Sequence, residues 1–489
     1  KKTFDSFKVK LLHDTSEKIE LKLAASYTDG SDARARVVQA LNGNSAGKSK
    51  TGSVVVQQDE PRHASQDLQP KSDVISRAIY LTGNIDLEKF VVTSYTGYRD
   101  EDVSIQSDLD ASSATVFGMI WDGYQVTRSQ EISIQSKAES KLDWTAGFYY
   151  INDDSGIPDF KLEVAPNTRF RYLSSYSAIE SYSAFYNATY PILESLYFTA
   201  GIRYAYEEST YKVMDAAGSV SRATADWENI SPRVSLRYEV TDDMKVYGSY
   251  SEGFKSGVFN SGSYDTTPVD PEEISAYEVG LKSTQANWHV DIAAFYYDYS
   301  DLQVASYDFS AGVQTIRNAA EAEIYGMDTQ IDLKLNKAFL MRMGLSYVDA
   351  EYKDFPGSIS FVPKGDGTGS DPVYFNAKGN KMLRAPKFTG NIGLEYQYEF
   401  DLVMIEFNAN LYKSGKVYFT SDNQYSEDGY TTLDLSLGIT PRNSDFKLSF
   451  FINNVADVSY IRNIWDSNSQ TGVSPNIPRV AGATLEYNL

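Results

Sequence analysis

Cysteine is absent from the 489 residues, histidine occurs three times, and no apolar run approaches the roughly 18 residues that a membrane-crossing helix needs. Without cysteine there is no disulfide framework, no thiolate metal site and no thiol nucleophile. The same absence suits an oxidising compartment such as the periplasm. His13, His63 and His289 are too few and too scattered to suggest direct binding of bare iron. Basic residues are also scarce: 45 Lys and Arg stand against 66 Asp and Glu, a formal charge of -21. That balance excludes the phosphate-neutralising patch of a nucleic-acid binder.

What the chain has in excess is aromatic surface, with 37 Tyr, 24 Phe and 5 Trp. Tyrosine joins an apolar body to a polar tip and therefore suits a bilayer interface, where membrane barrels carry aromatic girdles. With helices excluded, a closed barrel is the remaining way to span a bilayer. Its alternating strands keep hydropathy low, so a mean hydropathy of -0.39 is compatible with membrane residence.

Period-two alternation is present where a barrel requires it, in segments such as 279–285, 290–296, 331–335, 433–437 and 447–451. The connections alternate too. Short turns are expected at 14–17, 85–88, 138–141, 191–194, 241–243, 285–287, 336–337, 400–402 and 441–444. Between them lie long polar stretches at 29–71, 100–123, 152–177, 208–228, 255–271, 305–312, 350–385, 414–429 and 456–475. Short turns at one end and long loops at the other are the pattern of an outer-membrane barrel; a soluble sandwich has no reason to segregate them.

The fold expected is therefore all-β, a transmembrane antiparallel barrel of about nineteen strands, the first over 4–13 and the last over 480–489. Bacterial barrels have an even strand number, and open edges cannot face lipid, so about three further strands, making about twenty-two, are expected to complete it. No leader precedes Lys1, which reads as a mature chain or a fragment. Leu281, Leu435 and Leu485 are expected to face lipid, with Asp434 and Glu486 in the lumen, because a one-residue slip would put carboxylates into hydrocarbon.

Ordered motifs carry a resemblance over essentially the whole chain. They are Ser231-Pro232-Arg233-Val234-Ser235-Leu236-Arg237-Tyr238, then Val246-Tyr247-Gly248-Ser249-Tyr250-Ser251-Glu252-Gly253-Phe254-Lys255-Ser256-Gly257 and Glu278-Val279-Gly280-Leu281-Lys282-Ser283. Further on come Phe295-Tyr296-Tyr297-Asp298-Tyr299, Leu302-Gln303-Val304, Asn318-Ala319-Ala320-Glu321, Tyr325-Gly326, Arg384-Ala385-Pro386-Lys387-Phe388, Asn453-Asn454-Val455-Ala456-Asp457, Tyr460 and Pro478-Arg479. In this order and spacing they resemble the barrel region of TonB-dependent outer-membrane receptors, nearest to the siderophore branch. Most single motif residues are read as strand-pairing and assembly features, with Gly248, Gly280 and Gly326 at places of close approach. The final residue of relatives is usually aromatic; Leu489 departs from that.

The resemblance implies a receptor in the outer membrane of a Gram-negative bacterium that imports a scarce nutrient, foremost a ferric siderophore. It implies a plug domain inside the barrel, the TonB-ExbB-ExbD complex as energy source, and lipid around the wall. Residues 1–489 would be barrel alone, with the plug and about three first strands elsewhere. A glycan, a vitamin or another small organic molecule is the alternative cargo. Other classes are a surface-binding or adhesin role and a passive pore. The mitochondrial anion channel also has nineteen strands, but loops as long as 29–71 and 350–385 are foreign to it. No enzyme and no cofactor is expected. Asp108, Asp110 and the stretch 365–371 are oxygen-rich enough to suggest calcium, but they match no EF-hand spacing and are read as solvated turns, so no metal site is expected.

Loop aromatics are the expected ligand contacts, because an exposed ring offers stacking area at little entropy cost. The candidates are Tyr264, Tyr307, Phe309, Tyr352, Phe355, Tyr374, Tyr418, Tyr425, Tyr460 and Trp465, with Phe361, Phe375 and Phe419 on the same loops. Arg317, and beside it Arg36 and Arg62, are cations able to pair with an anionic chelate.

Overall fold

The computed structural model describes residues 2–32, 39–57, 63–137, 140–164, 168–308, 313–442 and 444–487. Nineteen strands form one antiparallel sheet in which each strand pairs with the next along the chain, from Lys2–Ser16 to Val480–Tyr487. Among the described residues the two end strands pair on one side only, with Ile19–Asp32 and Phe446–Asn453 respectively. This leaves an open seam between them.

The short turns fall where expected, for example between Val220–Thr241 and Met244–Lys255 and between Tyr430–Pro441 and Phe446–Asn453. By strand parity all lie at one end, and the connection from Asp354 to Phe388 lies at the other. Three of the expected long loops are different in kind. Much of 100–123, 152–177 and 208–228 continues the wall as paired strand: Asp143–Val164 and Thr168–Leu193 run to 22 and 26 residues, where about 9–11 cross a bilayer. Above the membrane one face of this hairpin still carries an alternating apolar row, and Phe160, Leu162 and Leu173 on it are buried with Tyr211 and Phe259, so the ladder continues with its apolar face covered by protein.

Residues directly opposite on neighbouring strands share a face, and the register separates two chemistries. One row reads Trp288, Leu333, Met341, Leu394, Ala409, Leu435, Ile452, Ala481. The adjacent row on the other face reads Thr284, His289, Asp332, Arg342, Gly393, Asn410, Asp434. Leu281 and Leu485 belong to the apolar face and Glu486 to the polar one, since Leu281 pairs with Val246 and Ile292, Leu485 with Leu448, and Glu486 with Lys447. Higher on the apolar face Tyr250, Tyr277, Tyr296 and Tyr325 stand side by side on four successive strands. The hydroxyl of Tyr296 donates to Glu323 at 2.9 Å, the polar tip reaching up from the hydrocarbon boundary. Two of the three motif glycines allow close approach. A Cβ on Gly280 would lie 2.5 Å from the Tyr247 ring, and one on Gly326 2.3 Å from the Tyr347 carbonyl oxygen; Gly248 has room.

The buried clusters sit at the long-loop end. One joins Leu302, Val304, Ala322, Tyr352 and Phe355, and another Phe160, Leu162, Leu173, Tyr211 and Phe259. A three-stranded loop sheet, Gln39–Ser45 with Gln470–Pro475 with Ile461–Asp466, ties the second strand's loop to the loop before the last strand. It therefore bridges the flanks of the seam and shows that the wall curls round on itself.

Candidate functional site

The polar face carries an oblique row of side chains that climbs from the short-turn end to the loops: Lys282, Asp291, Gln330, Gly344, Asn391, Tyr412. With Tyr247, Asp328, Arg342 and Ser346 it lines a trough of about 510 Å³. That size lies within the range of small-molecule pockets. The trough carries charges of both signs. Lys282 Nζ lies 3.5 Å from Asp291, Arg342 pairs with Glu395, and the Ser346 hydroxyl donates to Asp328 at 2.5 Å. At its upper end the Tyr412 ring lies 6.1 Å from that of Tyr430, which stacks on Tyr460 at 3.7 Å and 8°. Flat conjugated groups match such a stack, and the neighbouring charges suit a polar, chelating molecule.

The sequence candidates divide by burial and neighbours. Tyr460 joins this stack; Tyr412 and Tyr430, its partners, were missed because they lie inside strands, where alternation marks a face but not its occupant. Tyr374 is exposed on its hairpin, and Tyr418 lies under Lys416 Nζ at 5.1 Å. Tyr264 is 39 % exposed but its hydroxyl donates to the Tyr172 carbonyl at 2.6 Å, far along the wall from the stack. Tyr352 and Phe355, 4 % and 3 % exposed, are occupied by packing against each other and Leu302. Tyr425 packs with Phe419, Ile464 and Val473, and Trp465 with Ala40 and Ala111. Arg317 lies on the wall strand Val313–Lys334, donates to the Gly357 carbonyl and ties that strand to the following long loop. Phe361 and Phe419 are buried as well. Tyr307 belongs to the strand Trp288–Asp308, while its side chain, Phe309, Arg36 and Arg62 lie outside the described residues, as does Leu489.

Two features bear on chemistry other than binding. The pentapeptide Gly43-Asn44-Ser45-Ala46-Gly47 has the spacing of a nucleophile elbow, and it joins a strand to a short 3-10 helix. Ser45 is nonetheless fully buried, and its hydroxyl donates to the Asp110 carbonyl, so this serine is a joint between loops. The second feature corrects an expectation. Asp108 and Asp110 are not solvated: they are 1 % and 0 % exposed, and with Asp67 they bring carboxylate oxygens within 4.8 Å of one another. Donors already serve them. Asp108 accepts from the amides of Asp110 and Ala111, and Asp110 from those of Val116 and Phe117. The 365–371 stretch is a hairpin turn, with the Asp366 carboxylate taking both the amide and the hydroxyl of Thr368.

These buried acids make the loop layer sensitive to pH. Burial, then the neighbouring Asp110, holds Asp108 well above the usual carboxylate range. Burial pushes Asp466 up to about 7, with Asp422 adding to the effect. A carboxylate whose folded pKa is raised binds its proton more tightly in the packed state. The packing is thus firmest below the ordinary Asp pKa, weakens as pH rises towards the raised value, and levels off above it. Each such carboxylate weakens its surroundings by about 1.4 kcal/mol per pH unit across that window. Amide hydrogen exchange around 108–117 and 464–471, corrected for intrinsic rates, is expected to quicken from pH 5 to pH 7; Asp466→Asn should flatten the dependence at the second site, and an unchanged slope would refute its assignment to Asp466.

Comparison with known proteins agrees with this architecture. The family model for the TonB dependent receptor-like β-barrel matches residues 14–455. The pesticin receptor of Yersinia enterocolitica is 24 % identical over 325 residues, covering 64 % of this chain and 44 % of the receptor. The rhizobactin receptor of Rhizobium meliloti is 23 % identical over 329 residues, covering 60 % and 40 %. The chain spans less than half the length of these relatives. Among solved structures, the ferric yersiniabactin uptake receptor FyuA from Yersinia pestis superposes with a TM-score of 0.81 at 17 % identity, over 99 % of this chain and 70 % of that one. BauA, the ferric preacinetobactin receptor from Acinetobacter baumannii, gives 0.68 at 16 % identity over 99 % and 72 %. Its ordered motifs, its alternating connections and a family match over nearly its whole length establish that this chain belongs to the TonB-dependent receptor β-barrel family, outer-membrane proteins of Gram-negative bacteria that are receptors and not enzymes.

Proposed function

We propose that residues 1–489 form the wall and outer loops of a receptor that imports a ferric siderophore, with TonB supplying the energy. The observation that carries this reading is the Tyr412–Tyr430–Tyr460 stack at the top of a polar trough, beneath the long loops. Siderophores present conjugated or heteroaromatic iron-binding groups on a polar frame, and relatives named as pesticin, rhizobactin and ferric yersiniabactin receptors support that class. A plug supplied by a longer parent chain or a partner would meet the lower trough and leave the upper stack to the ligand. About three strands would accompany it and fill the seam.

The test is uptake of iron-55 bound to siderophores of several chemical classes by cells carrying the parent chain. Uptake of at least one is expected to require TonB and the proton-motive force, and Tyr430→Ala is expected to weaken it about tenfold or more, the loss of one aromatic contact pair with its buried area. Uptake that ignores TonB would sink the reading and favour a passive pore. TonB-dependent uptake of a glycan or vitamin with no response to any siderophore would transfer the same site to another cargo.

A further inference from the structure

Away from the trough, the polar face holds a second cavity, of about 270 Å³, in the part of the wall that rises above the bilayer. It lies on the four successive strands from Phe90–Asp108 to Thr168–Leu193. The eight strands from Leu196–Asp215 to Phe388–Glu399 separate it from Val403–Ser414, which carries Tyr412. The face is that of the trough. Tyr247 pairs with Arg237 and Arg237 with Tyr197; Tyr211, on the same face of the same strand as Tyr197, pairs with Ser177.

Register builds the cavity. Glu101, Gln125, Ser155 and Ser177 pair in turn across the four strands and form one lateral row. One step above that row a β-bulge interrupts the ladder between Asp122 and Tyr124, where Gly123 stands opposite Val103, and the next pair on the face is Ile105 with Trp121. Bulges re-aim the side chains beside them. Here the indole of Trp121 leans back over Gly123: a Cβ at that position would lie 2.8 Å from its six-membered ring and 3.2 Å from the Gly156 carbonyl oxygen. The glycine therefore keeps the floor open. Trp121 also packs against the buried cluster of Phe160, Leu173 and Phe259, which makes the ring a fixed platform. Ser261 closes the cavity from the connection 255–271. That connection is anchored by Phe259, stacked on Tyr211 at 5.6 Å and 11°, and by the Tyr211 hydroxyl, which donates to the Ser263 carbonyl at 2.8 Å.

The chemistry differs from that of the trough. Among the described residues that line the cavity Glu101 is the only charged one, and it is paired with Arg99; an anionic chelate would meet no lining cation. The Gln125 amide nitrogen donates to Asp153 at 2.8 Å, which leaves its carbonyl oxygen for another donor. The hydroxyls of Ser155, Ser177 and Ser261 have no partner among the described residues. Serine hydroxyls donate and accept, carboxylate and amide oxygens accept, and an indole covers an apolar face. Together they match an uncharged ring with hydroxyls at its rim and C–H groups on its face. The volume, just below the range of drug-sized sites, suits one such ring.

We propose that this cavity is a saccharide subsite that binds a single uncharged pyranose ring, with Trp121 against its face and Glu101, Gln125, Ser155 and Ser177 on its hydroxyls. It does not rest on the transport reading above, whose site lies in the trough and the tyrosine stack.

The test uses the full-length receptor in a zwitterionic detergent that has no sugar headgroup, without siderophore or TonB. It is titrated with glucose, galactose, mannose, N-acetylglucosamine and glucuronate and read by saturation-transfer difference NMR. Transfer to the ring protons of at least one neutral sugar is expected, with a dissociation constant on the order of millimolar, as about a dozen heavy atoms at ordinary ligand efficiency give. Glucuronate should bind about tenfold more weakly than glucose, because its carboxylate would meet Glu101. Trp121→Ala should weaken binding of the neutral sugar about tenfold or more. The double variant Ser155→Ala, Ser177→Ala leaves the buried cluster intact, so it covers the case in which Trp121→Ala fails to fold; the loss of two hydrogen bonds should again weaken binding about tenfold. Transfer to none of the neutral sugars overturns the proposal. So does binding unchanged in the double variant, or glucuronate bound as tightly as glucose. Neither siderophore nor TonB enters the measurement, so its failure and failure of the transport reading are separable.

Discussion

Leu435→Arg should prevent assembly of the barrel, whereas Asp434→Arg, one residue away, should be tolerated. Leu435 lies in a continuous apolar row between Ala409 and Ile452. Asp434 lies on the opposite face beside Asn410 and accepts the Asn454 amide at 2.7 Å. An arginine at a lipid-facing midplane position costs roughly 2–4 kcal/mol, and the cost falls towards the interfaces. At Asp434 the new cation meets water and the neighbouring polar row, and the loss is one charged hydrogen bond, about 1.5–3 kcal/mol at most and largely replaceable by solvent. Heat-modifiable mobility in cell envelopes reads both variants. Equal assembly of the two, or failure of Asp434→Arg alone, would reverse the assignment of the faces.

The second large effect concerns the seam. Residues 1–489 expressed by themselves are expected to give no heat-modifiable barrel, and supplying the plug and about three strands proposed above, from a longer chain or a partner, is expected to give one. The free edges of Lys2–Ser16 and Val480–Tyr487 each present a row of unpaired backbone groups. In hydrocarbon every such group costs several kcal/mol. Three or four of them already match the 5–15 kcal/mol net stability of a typical domain. The loop sheet that bridges the flanks acts outside the bilayer and satisfies none of these groups. A stable nineteen-strand barrel from the isolated chain, closed by direct pairing of its two end strands, would refute the incompleteness argument.

Wall architecture was legible in the sequence because it follows from local periodicity. Leu433, Leu435 and Leu437 alternate with Asp434 and Ser436, and the choice of which set meets lipid needs no tertiary information once a membrane is assumed. Turn position was equally local, since polar breaks such as Thr241-Asp242-Asp243 interrupt two alternating runs. The limits of the loops were not, because in a hairpin such as Asp143–Val164 with Thr168–Leu193 the ladder outlasts the bilayer, and its apolar face there packs on distant segments such as that of Phe259.

The candidate site was legible only in composition. An aromatic on a loop announces surface area, but its use depends on which distant loop leans against it. Tyr352 and Phe355 become packing because Leu302 and Ala322 lie beside them, while Tyr460 becomes part of a stack because the neighbouring strand ends in Tyr430. Asp108 and Asp110 read as a wet turn until the segments of Ser45 and Asp67 fold over them. Asn44 had no signal at all, being one polar residue among many whose meaning comes from Ser370 and Thr471, more than three hundred residues away. The sequence by itself determined the class of the protein, the strand order and the two faces of the wall, because alternation and turn chemistry act between near neighbours. The tertiary structure alone decided which aromatics meet, which acids are buried and how the loops lock across the mouth, because those contacts join residues that only the curvature of the whole sheet brings together.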